Sequence, residues 1–243
     1  MREETRNRKR MYDEHTGSSY EADRYGDPYK EQYRQIRNEA LVDLIGDNFG
    51  RSKPLRVLEI GCGTGMTLGY LASLPARHEL HGMDFSQTML SQARQKLNGL
   101  DNPFRLAQGD SFELPFRENV FDVVYSTRFI HQFSHDDKKS IYREMLRVLK
   151  PGGLVINEFY SRHSKWSLYL RGLREYPTEN QCPSKSEVDD IVGGPCARRP
   201  VRVVGLRAIN NLFGEQALRH VISLASRPVL NILLEEYFVA SRK

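Results

Sequence analysis

The chain has 243 residues, of which 39% are hydrophobic and 28% charged, a balance that supports a globular α/β domain and argues against wholesale disorder. The formal net charge of +5 is mild, and much of the excess lies in residues 1–10, which we expect to form a solvated tail, with a nucleic-acid-binding arm as the alternative. No apolar run reaches the roughly 18 residues of a membrane span, and the charged N-terminus lacks the apolar segment of a secretory signal.

The three cysteines are Cys62, Cys182 and Cys196. An odd and sparse set argues against a disulfide framework and is typical of a protein in the reducing cytoplasm, where we expect this chain to work. Their spacing matches no zinc-binding pattern, so we expect no bound metal.

Apolar periodicity predicts helices that alternate with short strands. The predicted elements are, in chain order, a helix at 29–45, a strand at 55–60, a helix at 64–73, a strand at 78–85, a helix that Ser86 caps, strands at 104–110 and 120–126, a helix within 134–153, a strand at 154–159 and a final edge strand at 236–243. Strands and helices at this spacing form βαβ units, so we expect a parallel sheet that helices cover on both faces.

Three glycines separate the first predicted strand from the helix that follows it. They read Gly61-Cys62-Gly63-Thr64-Gly65, so the backbone there can come close to a ligand where a Cβ atom would intrude. A dinucleotide site needs the spacing G-x-G-x-x-G, and here the third glycine comes one residue early. Parallel sheets bind ligands beyond the carboxyl ends of their strands, which is where this turn lies.

Acidic residues end the next two predicted strands. Asp84 ends the second strand, where a carboxylate can accept hydrogen bonds from both hydroxyls of a ribose. Asp110 ends the third, where a carboxylate beside the Ser111 amide can accept from an adenine amino group. NAD and S-adenosylmethionine both need the first acid, whereas the second favours S-adenosylmethionine. The glycine turn and the two acids therefore predict one continuous nucleoside site.

Five segments together resemble the class I S-adenosylmethionine-dependent methyltransferases, in the branch that contains ubiquinone and menaquinone biosynthesis enzymes. They are "VLEIGCGTG", "GMDFSQTML", "GDSFELPF", "FDVVYS" and "REMLRVLKPGG". The resemblance covers about residues 55–160, with weaker support from "SSYEADRYG". It implies a Rossmann-like, doubly wound, mostly parallel seven-stranded sheet with S-adenosyl-L-methionine as the cofactor.

The resemblance also implies a set of cofactor-binding residues. They are Glu59, Gly61, Cys62, Gly63, Asp84, Phe85, Asp110, Ser111 and Ser126. Apart from the resemblance, the tyrosines of residues 12–27 predict a lid over the cofactor, with Tyr20 or Tyr25 at its methionine end and a disordered tail as the alternative. Gly61 and Gly63 would pass under the methionine part, Asp84 would hold the ribose, and Asp110 with Ser111 would bind adenine. Glu59 would order the glycine loop, with a purely structural anchor as the alternative, and Ser126 would face the sulfonium.

Methyl transfer needs a base only where the acceptor loses a proton. The candidate is His131, in the loop after the fourth strand, since histidine titrates in the right range; the alternative is a histidine that packs or orients this loop. We expect residues 1–28 to form a flexible lid or tail and residues 29–243 a single methyltransferase domain. Its cofactor half would lie at about 55–160 and its acceptor side at about 160–230.

The predicted function is transfer of a methyl group to oxygen, nitrogen or carbon of a small-molecule acceptor. No Asp/Asn-Pro-Pro-Tyr/Phe motif of nucleic-acid methylation follows the fourth strand, so we expect no specific nucleic-acid partner. The alternatives are an RNA or protein methyltransferase, and a family member that binds the cofactor without turnover. The identity of the acceptor and the oligomeric state stay open at this point.

Overall fold

The structure is a computed structural model that describes residues 28–160, 182–196, 198–203, 216–217, 219–221 and 234–243. The predicted lid with Tyr20 and Tyr25 lies outside the described residues, as does most of the predicted acceptor side.

Helices and strands alternate through most of the described chain. The longer helices are α1 (Pro28–Phe49), α2 (Met66–Ala72), α3 (Gln87–Leu97), α4 (His135–Val148) and α5 (Lys185–Val192). The strands are β1 (Arg56–Ile60), β2 (Glu79–Asp84), β3 (Phe104–Gln108), β4 (Phe121–Ser126), β5 (Leu149–Tyr160), β6 (Arg198–Val203) and β7 (Leu234–Arg242). A 3-10 turn at Ile130–Gln132 lies between β4 and α4.

The strands form one seven-stranded sheet in the order β3-β2-β1-β4-β5-β7-β6. β1 pairs in parallel with both β2 and β4, and β2 pairs in parallel with β3, whereas β6 and β7 are antiparallel. The strand order reverses at β1, because the chain runs out to β3 at the edge and returns to β4 on the other side of β1. This reversal is the switch point at which doubly wound sheets bind ligands, and it confirms the predicted α/β Rossmann-like fold.

The last strand is not the edge strand that the sequence predicts. β7 lies between β5 and β6, and its central residues Tyr237, Phe238 and Val239 are buried. The edge belongs to β6, which the sequence pattern did not reveal and which contains Pro200. Proline has no amide hydrogen to donate, so it is tolerated in an edge strand. A proline also argues against a strand in the sequence, which is why β6 was not predicted.

The fourth helix ends earlier than predicted, and β5 begins earlier. A proline followed by two glycines usually ends a helix, but Pro151-Gly152-Gly153 lies within the strand. The Gly152 amide donates to the Lys243 carbonyl over 3.2 Å, and the Lys243 amide donates to the Gly153 carbonyl over 3.1 Å. Pairing with Lys243, which local sequence cannot predict, includes this segment in the strand even though Gly152 has a positive φ of 75°.

The chain divides into two compact units. The first contains the chain up to Thr127 with Arg143–Val155 and Arg242–Lys243, and its core includes the fully buried side chains of Val57, Leu58, Ile60, Leu80, Val123 and Val124. The second contains Arg128–Tyr142 and Ile156–Ser241, with Ile130, Ile141, Val188 and Phe238 in its core.

Among the described residues, no helix has the length and apolar character that crossing a membrane requires. The domain boundaries given above stay a prediction.

Candidate active site

The glycine turn after β1 adopts a backbone that side chains disfavour. Gly61, Gly63 and Gly65 have φ values of 70°, 52° and 75°, all in the left-handed region that glycine adopts without steric cost. The amides of Gly61 and Cys62 both donate to the carbonyl of Met83, over 2.8 and 3.0 Å. The turn is therefore fixed to the carboxyl end of β2.

Two of these glycines serve different purposes. A Cβ atom at Gly65 would lie 3.1 Å from the Cβ atom of Ala93, so this glycine lets α2 pack closely on α3. A Cβ atom at Gly63 would meet nothing within 4 Å. Gly63 thus borders open space at the switch point of the sheet, where a ligand can approach the backbone, and this fits the predicted cofactor.

Asp84 links the end of β2 to the glycine turn. One of its carboxylate oxygens accepts from the Gly63 amide over 2.9 Å, and the other accepts from the Ser86 amide over 3.0 Å. The Ser86 hydroxyl in turn accepts from the Met89 amide over 3.3 Å and caps α3. Because only 6% of Asp84 is exposed, these backbone amides hold its carboxylate in a fixed position, which suits the accepting of hydrogen bonds from ligand hydroxyls.

The turn after β3 brings Asp110 and Ser111 to the same edge. The Gly109 amide donates to the backbone carbonyl of Asp84 over 3.1 Å, which ties this turn to the end of β2. The Asp110 carboxylate accepts from the Phe112 amide over 3.1 Å, and Ser111 is buried. The structure therefore brings the glycine turn, Asp84 and the Asp110 turn together, as the sequence predicts.

Glu59 lies buried in β1, directly before the glycine turn. Its two carboxylate oxygens accept from the hydroxyl of Tyr125 over 3.0 Å and from that of Thr127 over 3.1 Å. Burial raises the pKa of Glu59 to about 8, while these two hydrogen bonds and the positive charge of Arg37 act in the opposite direction. The bonds tie β1 to the end of β4. Ordering of the glycine loop by Glu59 stays a prediction.

Three further predicted contacts lie near this edge. Cys62 is buried, and its surroundings raise the pKa of the thiol well above its usual value, chiefly through burial and then through the negative charges of Asp84 and Glu59. The Phe85 carbonyl accepts from the Gln108 side-chain amide over 3.0 Å. Ser126 ends β4 and is buried. Their contacts with a cofactor stay predictions.

His131 belongs to the second unit. It lies in the 3-10 turn Ile130–Gln132, and its ring packs against the ring of Tyr160, with the centroids 4.5 Å apart and the planes at 60°. In the same loop, Arg128 has a positive φ of 52°, and its amide donates to the Glu158 carboxylate over 2.7 Å. The ring contact is the packing that the alternative interpretation of His131 requires, and the role as a base stays a prediction.

Three residues of this region escaped the sequence analysis. Tyr125 and Thr127 hold Glu59, and Arg37 lies on the buried face of α1. A signal was present for Tyr125, because a buried tyrosine hydroxyl needs a polar partner. Arg37 also left a signal, since it shares a helical stripe with the buried Tyr33 and Leu41. Among the described residues, no group of three or more His, Cys, Asp or Glu side chains is placed to hold a metal ion.

Residues 57–153 match the family model described as "Methyltransferase domain". A curated relative, the demethylmenaquinone methyltransferase of Staphylococcus aureus strain MRSA252, is 34% identical over 130 residues, which are 52% of this chain and 49% of the relative. The same enzyme from strain JH9 matches with the same identity and coverage. This chain therefore spans about half the length of the curated relatives it matches.

Solved structures share the fold at low sequence identity. A putative sarcosine dimethylglycine methyltransferase from Galdieria sulphuraria has a TM-score of 0.60 at 17% identity, with 88% of each chain covered. A SAM-dependent methyltransferase from Aquifex aeolicus has a TM-score of 0.54 at 16% identity, with 96% of each chain covered. At these identities the likeness supports the fold alone.

Proposed function

We propose that this chain, whose residues 57–153 belong to the class I S-adenosylmethionine-dependent methyltransferases, transfers a methyl group to a small-molecule acceptor at oxygen, nitrogen or carbon. The cofactor of this family is S-adenosyl-L-methionine. The observation that carries the proposal is the carboxylate of Asp84, which accepts from the Gly63 amide at the open side of the glycine turn.

The residues present suit the cofactor part by part. Gly63 would let the methionine part approach the backbone, since no side chain occupies that space. Asp84 would accept from the ribose hydroxyls, and Asp110 with Ser111 would bind adenine. When bound, the cofactor supplies a methyl group on a positively charged sulfonium, so positioning and exclusion of water provide much of the rate.

A small-molecule acceptor is supported by the curated relatives, which are named as demethylmenaquinone methyltransferases. The segment from Tyr125 to Arg128 also lacks the motif of nucleic-acid methylation. A quinol ring is accordingly the first acceptor to test. RNA and protein acceptors remain the alternatives, together with a chain that binds the cofactor without turnover.

His131 would act as a general base where the acceptor atom carries a proton, and the ring of Tyr160 would then hold the imidazole in place. Tyr20 or Tyr25 would close over the methionine end as part of an N-terminal lid. We also propose that the protein works in the cytoplasm, which is supported by its odd and sparse set of three cysteines, since such a set argues against a disulfide framework.

The binding step is tested by calorimetry with S-adenosylhomocysteine and, separately, with NAD. We expect S-adenosylhomocysteine to bind and to raise the Tm, because a ligand of the native state stabilises it by mass action. NAD should do neither, and the reverse pattern would contradict the proposal. Transfer is then measured by mass spectrometry on demethylmenaquinol, simple phenols and amines, RNA and peptides. Methylation of RNA or peptides alone would replace the small-molecule assignment.

A further inference from the structure

A charged pair on α4 contacts the Asp110 turn (residues 110–116), and the proposed function assigns it no role. Glu144 and Arg147 lie in the segment "REMLRVLKPGG", three residues apart, and belong to the same compact unit as the turn. The Nε atom of Arg147 donates to one Glu144 carboxylate oxygen and the Nη2 atom to the other, each over 2.8 Å. Hydrogen bonding from Arg147 lowers the pKa of Glu144, so the carboxylate stays charged.

Both side chains also bond to the backbone of the Asp110 turn. Glu144 accepts from the Leu114 amide over 2.8 Å. Arg147 donates to the carbonyls of Leu114 and Phe116, each over 2.9 Å. One carboxylate and one planar guanidinium thus bind three backbone groups of the turn, and this fixes the direction of the turn as well as its place.

The Asp110 turn is therefore held from outside at both ends. At its start, the Gly109 amide donates to the Asp84 carbonyl over 3.1 Å, which ties the turn to β2. At its end, the charged pair ties it to α4. Asp110 and Ser111 lie between these two anchors, so α4 controls their position through the backbone.

The exposure of the pair indicates what it contributes. The side chains of Arg147 and Glu144 are 36% and 20% exposed. An ion pair that water reaches adds little to stability by itself. The main contribution of this pair is geometry, because a hydrogen bond weakens steeply when its donor and acceptor are misaligned.

We propose that Glu144 and Arg147 are positioning residues that set the preference of the site for adenine over purines without a 6-amino group. The inference rests on the proposed function, because it takes S-adenosylmethionine as the ligand and the Asp110 turn as its adenine contact. The Asp110 carboxylate can accept from the 6-amino group only where the turn places it within hydrogen-bond distance of the base. The pair acts through the turn rather than on the ligand.

The test compares two ligands that differ only at position 6 of the base. They are S-adenosylhomocysteine and its analogue in which hydrogen replaces the 6-amino group. In calorimetry, the wild type should prefer S-adenosylhomocysteine by about 10- to 100-fold, because the analogue leaves a charged acceptor unpaired. Arg147→Met should lower this preference by about 3- to 10-fold, which is the loss expected when one hydrogen bond is misplaced.

A second variant and a matched control complete the test. Arg147→Lys keeps the charge but loses the planar fork that reaches both carbonyls, so it should also lower the preference, and it provides the test if Arg147→Met fails to fold. Lys139→Met is the control, because Lys139 lies on the same helix and pairs with Asp190 of α5 over 3.0 Å. The control should keep the wild-type preference.

Unchanged preference in the folded Arg147 variants would overturn the inference. An equal loss of affinity for both ligands, with a lower Tm of the ligand-free protein, would also overturn it and leave the pair with a structural role alone. A wild type that binds both ligands equally would show that the site does not recognise the amino group. A wild type that binds neither ligand would instead reject the proposed function, and this result involves no variant.

Discussion

Replacement of Asp84 by Asn tests how the site is held together. The carboxylate accepts from the amides of Gly63 and Ser86 over 2.9 and 3.0 Å, and only 6% of the residue is exposed. The asparagine side chain of the variant keeps one oxygen that can accept from one of these two backbone amides. Its NH2 group then faces the other backbone amide, from which it cannot accept a hydrogen bond. One buried N–H then loses its partner, which costs about 1–3 kcal/mol.

This cost has two measurable consequences. The free energy of unfolding should fall by about 1–3 kcal/mol, and each 1 kcal/mol lowers the Tm of a chain of this size by about 2–4 °C. Affinity for S-adenosylhomocysteine should fall about 10- to 100-fold, because the charged acceptor for the ribose hydroxyls is lost. Denaturant titration and calorimetry measure the two effects separately.

Asp122→Asn is the matched control for Asp84→Asn. Asp122 accepts from the Arg56 amide over 2.8 Å and from the Lys150 ammonium group over 2.9 Å, near the start of β4 and away from the carboxyl ends of the strands. Its replacement should lower stability and leave the affinity for S-adenosylhomocysteine unchanged. Wild-type affinity in a folded Asp84→Asn protein would refute the reasoning, as would an equal loss of affinity in the control.

Further predictions concern the turn, the buried acid and the loop. Gly63→Ala and Gly50→Ala each place a methyl group at a positive φ, 52° and 81°, where no other atom lies within 4 Å. Each should lower the free energy of unfolding by about 1–2 kcal/mol, because side chains disfavour the left-handed region. Calorimetry should find weaker S-adenosylhomocysteine binding only for Gly63→Ala. The pKa of Glu59 is raised from 4.5 to about 8, so its contribution to stability is present at low pH and is lost as the pH rises through about 8. Denaturation curves should therefore show Glu59→Gln gaining stability relative to the wild type as the pH rises from 4.5 to about 8. A stability difference that stays constant between these pH values would contradict the pKa shift. His131→Gln should slow transfer to an acceptor that loses a proton by about 100-fold or more without changing cofactor affinity, and an unchanged rate would leave His131 with a packing role.

The parts of the site that local rules govern were predictable from sequence. Left-handed glycines and acids at strand ends have local signatures, and these located Gly63, Asp84 and Asp110 correctly at one edge of the sheet. The sequence could not show that Asp84 would bond the Gly63 amide, because that contact depends on the parallel pairing of β1 with β2.

The features that the sequence did not predict depend on long-range strand pairing, or concern a charged residue within an otherwise apolar helical stripe. The inner position of β7 and the inclusion of Pro151-Gly152-Gly153 in β5 both depend on strand partners far along the chain. Arg37 was overlooked because a helical stripe is usually identified by its apolar members, although its position between the buried Tyr33 and Leu41 already placed it on that stripe. These positions are where tertiary contacts override local preference.

The most direct test of cofactor binding at the switch point of the sheet is a crystal structure of the protein with S-adenosylhomocysteine. We expect the ligand at the carboxyl ends of β1, β2 and β3, with the ribose hydroxyls on Asp84 and the adenine at Asp110 and Ser111. A ligand bound away from the glycine turn, or one whose ribose makes no contact with Asp84, would contradict it.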